Sequence, residues 1–307
     1  MQKIRALLLL ATLAQICTGA DWCYQSQVTC ESHCKGPRKW EEESSTCGGR
    51  KQSPINIVTR KTIPDERLTP FQFSGYQQAF RSSIKNNGHS VAVNIPHMAT
   101  ISGGNLETTY KAVQFHLHWG RNGGPGSEHT IDGEQYPMEL HIVHMKQKFS
   151  SLSEALQDPT GVAVLGFFYE VSKLPNNKYG QLIKILESVP TKNASATFSS
   201  PLSLNQLIPR EQNLTGYYRY EGSLTTPGCN EAVVWTVFQD PIPLDRNQLS
   251  AFSRLKFHDG TSMVDTFRPV QPLNDRTVYR SGSAVVLASL ALLLASISLT
   301  FGLSHAN

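Results

Sequence analysis

From Ser53 onward the chain alternates short apolar runs with polar turns. Ile55–Val58, Val91–Ile95, Lys111–Trp119, Glu139–Lys146, Val162–Val171 and Glu231–Phe238 are rich in Val, Ile, Leu, Phe and Trp and predict strands. Asn87-Gly88 and Asp132-Gly133 are turn signals. Helical spacing of apolar positions is confined to Tyr179–Ser188 (Leu182, Ile183, Leu186) and Asp245–Leu255 (Leu249, Phe252, Leu255), with a short helix expected over Ser151–Leu156. Many strands and few helices predict one mixed, β-dominated domain. It would be built on a large, mainly antiparallel twisted sheet with peripheral helices.

The two ends break this pattern. Lys3 and Arg5 precede an apolar Ala6–Ala14 core and small residues ending at Ala20. That reads as a secretory signal peptide over residues 1–20, cleaved after Ala20. Residues 284–303 form an uncharged apolar stretch long enough to cross a bilayer. Only Ser304-His305-Ala306-Asn307 follows, without the Lys/Arg cluster that holds a cytoplasmic end. Ser281-Gly282-Ser283 supplies small residues just before it, so residues 281–307 read as a GPI-attachment signal, with lipid joined at Ser281 or Ser283. The polar spacer is nearly absent, and a single C-terminal transmembrane helix is the alternative. Residues 21–280 remain as the folded domain.

Composition refines this in three places. A net charge of +4 without a concentrated basic block gives nucleic-acid binding no support. Asn193-Ala194-Ser195 and Asn213-Leu214-Thr215 are glycosylation sequons in a secretory context. Of six cysteines, Cys17 leaves with the signal, and Cys23, Cys30, Cys34, Cys47 and Cys229 enter an oxidising compartment. An odd number leaves at least one unpaired or intermolecular, and spacing does not fix the pairing. Residues 21–50 read as an irregular segment held by such bridges.

The candidate chemistry lies in two of the strands. His116 and His118 are two apart, so they project from one face of their strand. If a neighbouring strand turns His141 the same way, three imidazoles converge. The ordinary alternative is a pair of partly exposed strand histidines. Gln114 precedes His116 by two and Glu139 precedes His141 by two, so each shares a face with its histidine and can hydrogen-bond its second nitrogen. Such partners accompany metal-binding imidazoles. Three His with an open fourth position is a catalytic Zn2+ ligand set, whereas structural zinc recruits Cys and closes the site. Thr225 and Thr226 in Gly222–Gly228, and Glu128, offer a hydroxyl and a carboxylate. Spacing alone does not pair them.

Longer blocks make the resemblance specific. Ser127-Glu128-His129-Thr130-Ile131, Tyr136 and Glu139-Leu140-His141-Ile142-Val143 match the signature segment of the α-class carbonic anhydrases. Gln52–Ile57, Asn87-Gly88-His89, Gln114–Gly120, Ala163–Gly166, Gly222–Pro227 and Phe267–Leu273 resemble that family's blocks in its order. They extend from about Trp22 to Arg276. With the leader, the cysteines and the apolar tail, the chain most resembles the membrane-anchored branch of the family. No His-Glu-x-x-His helix points to another zinc hydrolase.

The resemblance implies zinc-dependent, reversible hydration of carbon dioxide to bicarbonate and a proton. In this family zinc lowers the pKa of water to about 7. His116, His118 and His141 would hold the zinc, with Gln114 and Glu139 behind them. Thr225 would orient the zinc hydroxide and pass its own proton interaction to Glu128. Thr226 would line the substrate cavity, and Val143, Val164, Leu224, Val233 and Trp235 would form the apolar wall for the gas. His89 would shuttle the proton, since an unperturbed His titrates near pH 6.5. Tyr24 would help order the water chain. Ala92 lies near the place where the family often has an Asn.

The membrane-anchored branch further implies disulfides Cys23–Cys34 and Cys47–Cys229, which leaves Cys30 outside the pattern. Sulfonamide and anion inhibitors are implied as ligands. So is an extracellular, GPI-tethered location beside bicarbonate transporters, with a role in pH regulation. An inactive, carbonic-anhydrase-like binding domain is the rival, but such relatives lose zinc-ligand positions that this chain keeps.

Overall fold

A computed structural model of the chain describes residues 22–29, 34–96 and 98–282. The leader 1–20, Cys30, Ser283 and the apolar tail lie outside the described residues. Within them, twelve strands form one large sheet and three short strands a small one. The large sheet runs Ser195–Thr197, Ser83–Asn86, Val91–Asn94, Tyr110–Trp119, Met138–Lys146, Val162–Ser172, Val233–Asp245, Tyr217–Gly222, Tyr279–Ser281 and Ile63–Asp65. Phe71–Ser74 and Thr100–Gly103 branch off beside Tyr110–Trp119. Neighbours along the run are antiparallel except Val162–Ser172 with Val233–Asp245, and Tyr279–Ser281 with Ile63–Asp65. The expected β-dominated domain with a mainly antiparallel sheet is the observed one.

The central strands carry the apolar runs because both faces of the sheet are covered. Met138–Lys146 is buried at every position. Leu140, Ile142, Phe115 and Leu165 pack into one core, while Val143, Val164, Val233 and Trp235 belong to a second on the opposite face. Lys146 ends the strand with its charge satisfied, donating to Glu107, Asp158 and Thr160.

Expected elements recur with shifted ends. Arg246–Phe252 is a helix capped by Asp245, which accepts from Gln248 N at 2.8 Å. Gly180–Ile185 is helical between two 3-10 turns, and Leu152–Ala155 follows its cap Ser151. The strand expected over Ile55–Val58 shrinks to Asn56–Ile57, which pairs with Thr130–Ile131 in the small sheet. The backbone turns away after it, where Thr59 binds Asp132 through both N and Oγ1. The strand expected to end at Phe238 continues to Asp245 through Pro241 and Pro243, residues that normally demote a strand. A register shift at Phe167/Tyr169 accompanies the extension.

The N-terminal segment is pinned by Cys23–Cys34 and Cys47–Cys229, the pairing implied by the resemblance. The second closes a separation of 182 residues. A loop that long gives a chain-entropy contribution of about 5 kcal/mol. Trp40 anchors the same segment, donating to the carbonyls of Cys23 and Lys35.

Candidate metal centre

Antiparallel pairing of Tyr110–Trp119 with Met138–Lys146 sets His141 opposite His116, Glu139 opposite His118 and Val143 opposite Gln114. All six side chains therefore share one sheet face, and His116, His118 and His141 come together with ligand nitrogens within 4.8 Å of one another. His118 and His141 are buried, and His116 is partly so.

One nitrogen of each ring is already committed. His116 Nδ1 donates to Gln114 Oε1 at 3.1 Å, His118 Nδ1 to the Thr266 carbonyl at 2.6 Å, and His141 Nε2 to Glu139 Oε1 at 2.7 Å. Each acceptor is an oxygen, so each of these nitrogens carries the hydrogen. His116 Nε2, His118 Nε2 and His141 Nδ1 then present lone pairs. His116 Nε2 and His141 Nδ1 stand 3.3 Å apart, and His118 Nε2 is buried without a hydrogen-bond partner. Three lone pairs facing one another in a buried space repel, and a cation resolves the conflict. Burial first, then the neighbouring imidazoles, holds His116 well below the usual histidine range and His118 at about 3. Burial also lowers His141, against the pull of Glu139. All three are thus neutral, as metal ligation requires.

Glu139 organises the floor of the site. Its Oε1 accepts from His141 Nε2 and His129 Nδ1, each at 2.7 Å, and its Oε2 accepts the backbone N–H of Glu128 and of His129, each at 2.9 Å. Burial pushes its pKa up, yet His129 and His141 outweigh that and leave it well below the carboxylate range. His129, Glu139 and His141 also lie close enough to be a ligand group, but these hydrogen bonds use their atoms. His129 Nε2 continues to the Tyr220 hydroxyl at 2.6 Å, and that hydroxyl to Ser53 Oγ at 2.9 Å.

Glu128 lies beside the triad. Its Oε1 accepts from Arg268 N at 2.9 Å, while its Oε2 has no hydrogen-bond partner and sits 3.4 Å from His118 Nε2. Burial raises its pKa well above the ordinary carboxylate value, and the Arg268 N–H and the Thr225 side chain pull it down. Thr225 is buried, whereas Thr226 is partly exposed on the same loop. That loop is held by Leu224 N to Asn230 O, Cys229 N to Thr226 O and the Cys47–Cys229 bridge. Gly228 at φ +105° and Cys229 at φ +38° make the turn.

Val143, Val164, Val233 and Trp235 are buried in one apolar cluster, and Leu224 packs on it. Trp235 meets the ring of His141 edge-on at 4.8 Å, so this wall adjoins the imidazoles. Ala92, directly across from His116, places no polar side chain there.

His89 follows the Asn87-Gly88 turn, with Gly88 at φ +92°. Its ring lies flat on Trp22, centroids 3.8 Å apart, and 6.4 Å from buried Tyr24. The unperturbed histidine expected from the sequence is not what the fold provides. Burial, then His258 and Lys192, lowers its pKa to about 4, against a smaller upward effect of Asp259.

Asn193 and Asn213 are exposed, the first at φ +69° and the second ending a 3-10 turn. Ser281 is buried in the strand next to the sheet's edge, its Oγ accepting from Tyr217 N and donating to Thr215 O. Sequence reasoning assigned no role to Thr266, His129, Tyr220 or Arg268 N. Backbone partners such as Thr266 O have no side-chain signature. His129 lies in the Ser127–Ile131 segment, and its contact with Glu139, ten residues on, forms only in the folded chain.

The family model for eukaryotic-type carbonic anhydrase matches residues 35–282. Carbonic anhydrase 4 of Oryctolagus cuniculus is 43% identical over 297 residues, covering 95% of this chain and 94% of that protein. Carbonic anhydrase 4 of Rattus norvegicus is 41% identical over 296 residues, with the same coverage. Carbonic anhydrase 15 of Mus musculus is 35% identical over 313 residues, covering 96% and 95%. This chain belongs to the eukaryotic-type carbonic anhydrases.

Proposed function

We propose that this carbonic anhydrase hydrates carbon dioxide reversibly with a zinc ion held by His116, His118 and His141. The observation that carries the reading is the trio of converging lone pairs at His116 Nε2, His118 Nε2 and His141 Nδ1. When bound, zinc supplies a Lewis acid that makes hydroxide available at neutral pH, as is established for this family.

The chain's own residues do the rest. Gln114, Thr266 O and Glu139 fix each imidazole's tautomer. Glu128 Oε2 is a buried acceptor free to take the hydroxyl hydrogen of Thr225, whose side chain lowers the Glu128 pKa. With its hydrogen directed to Glu128, Thr225 Oγ1 turns a lone pair toward the reacting oxygen and orients it. Val143, Val164, Leu224, Val233 and Trp235, with Thr226 at the edge, hold an uncharged gas weakly beside the imidazoles. His89 carries the released proton outward past Tyr24. Sulfonamide and other anions would compete at this centre.

Residues 1–20 act as a secretory signal, 21–280 as the enzyme domain and 281–307 as the lipid-attachment signal. This tethers the enzyme by GPI to the extracellular face of the membrane, beside bicarbonate transporters. The relatedness to carbonic anhydrases 4 and 15 over nearly the whole chain supports this reading. No helix among the described residues is long and apolar enough to cross a membrane. Stopped-flow carbon dioxide hydration with zinc analysis tests the centre. Sulfonamide-sensitive turnover and one zinc per chain are expected, both lost in His116→Ala, and full activity in that variant would refute the ligand set. Release from cells by a phosphatidylinositol-specific phospholipase is expected, and complete retention would overturn the GPI tether.

A further inference from the structure

His89 does not face solvent alone. The loop carrying His258 and Asp259 docks on the Asn87-Gly88 turn through His258 N to Gly88 O at 3.3 Å. The two imidazole centroids are 5.4 Å apart and inclined by 49°. A Cβ on Gly88 would lie 3.3 Å from His258 Cβ and 3.0 Å from Lys192 Cδ, so both side chains close over the turn. From the N-terminal side, Gln27 Nε2 donates to Asp259 Oδ2 at 3.0 Å and lies 3.5 Å from His258 Nδ1. Asp259 Oδ1 is held by Thr261 N and Oγ1. His89 Nδ1 is buried without a hydrogen-bond partner.

We propose that His258, with Asp259 beside it, is a second proton relay that takes the proton from His89 and delivers it to bulk buffer. This rests on the reading of His89 as the proton's way out. The step is a proton transfer from protonated His89 to neutral His258. An N–H bond breaks at His89 and one forms at His258, directly or across one water. His258 then gives the proton to a buffer base, and both rings return to neutral. The surroundings set the direction. His89 is pressed between Trp22 and the loop and holds a proton poorly, at about 4. His258 is less enclosed. Burial and Lys192 lower it too, but Asp259 and its hydrogen bond to Gly88 raise it. Lys192 faces both rings and drives a proton outward, and Asp259, itself exposed, receives the charge at the rim.

The test is hydration by the zinc-loaded enzyme in dilute buffer, for His89→Ala, His258→Ala and the double variant. His258→Ala should lower kcat by about tenfold, the rate equivalent of one pKa unit. Its kcat/KM should be unchanged, which also shows that the variant folds, and imidazole should restore kcat. The double variant should be no slower than His89→Ala, because the two act in series. Wild-type kcat in His258→Ala with slow His89→Ala overturns the His258 relay and leaves His89 standing. Wild-type kcat in His89→Ala overturns the underlying reading. Additive losses overturn the serial order. An NMR titration gives an independent readout. Removing His258 should raise the His89 pKa from about 4, and no movement would mean that the rings do not sense each other's proton.

Discussion

His116 Nε2 and His141 Nδ1 face each other across neighbouring strands at 3.3 Å, each presenting a lone pair. Their other nitrogens are locked by Gln114 and Glu139, so neither ring can flip its tautomer to relieve the repulsion. Metal binding should therefore stabilise the fold as well as enable turnover. A ligand at a hundredfold excess over its Kd adds about 3 kcal/mol to the native state. Chelated protein should unfold at a clearly lower temperature than zinc-loaded protein, and His116→Ala should lose that difference. Identical melting with and without zinc would show that the triad binds none.

Gly166 and Glu139 offer a finer probe. A Cβ on Gly166 would stand 3.2 Å from Glu139 Oε1, with Trp235 and Val237 each 3.7 Å away. Glu139 has little room to retreat, since both oxygens are held by two imidazoles and two backbone N–H groups. Gly166→Ala should cost about 1–3 kcal/mol in stability. By displacing the His141 partner it should also weaken zinc about tenfold. Competition with a chromophoric chelator measures this, and an unchanged zinc Kd would mean that Glu139 does not set the His141 orientation.

Thr225→Ala separates orientation from metal binding. The hydroxyl neighbours Glu128 but none of its atoms is needed to hold zinc. The variant should keep its full zinc content and lose about a hundredfold in kcat/KM, as when one preorganised polar contact to a reacting oxygen is removed. Thr225→Ser should recover most of the loss. Equal loss of zinc and activity would assign Thr225 to the architecture of the site instead.

The strand-borne part of this site was legible because its code is local. A period of two puts His116 and His118 on one face, and Gln114 with them. The central strands were legible for the same reason, being long and apolar. Ser83–Asn86, Ser195–Thr197 and Ile63–Asp65 escaped notice because they lie toward the sheet's edges and carry few apolar residues. What joins distant segments left no local trace. His118 leans on Thr266 O and Glu128 on Arg268 N, backbone atoms 148 and 140 residues away. Glu128 and Thr225 entered through family resemblance, since spacing alone could not pair them. The acidity of His89 was not legible either, because it depends on which residues fold over the ring.

Trp22 is one of these. It covers a face of His89 at 3.8 Å, and burial is the leading cause of that ring's low pKa. Trp22→Ala should expose the ring and move its pKa from about 4 toward 6.5, as read by NMR. A value still near 4 would shift the cause to Lys192 and His258.

His144 tests the acid limb of stability away from the metal. It is fully buried, donating from Nδ1 to Ala163 O at 3.3 Å and accepting at Nε2 from the Tyr76 hydroxyl at 2.7 Å. The neutral ring satisfies both contacts, and burial holds its pKa at about 4 against the upward effect of Ala163 and Ile142. An unfolded His144 takes up a proton below about pH 6.5, the folded one only near pH 4. Between those values the unfolded state binds more protons. Stability therefore falls as pH falls, by about 1.4 kcal/mol per unit, and nothing is lost above 6.5. His144→Gln keeps an acceptor for Tyr76 but does not titrate. Urea unfolding at pH 7 and pH 5 should show the variant losing about 2 kcal/mol less than wild type between the two. Because the other histidines are common to both proteins, their contributions cancel in that comparison, and parallel losses would mean that His144 is protonated in the folded state well above pH 4.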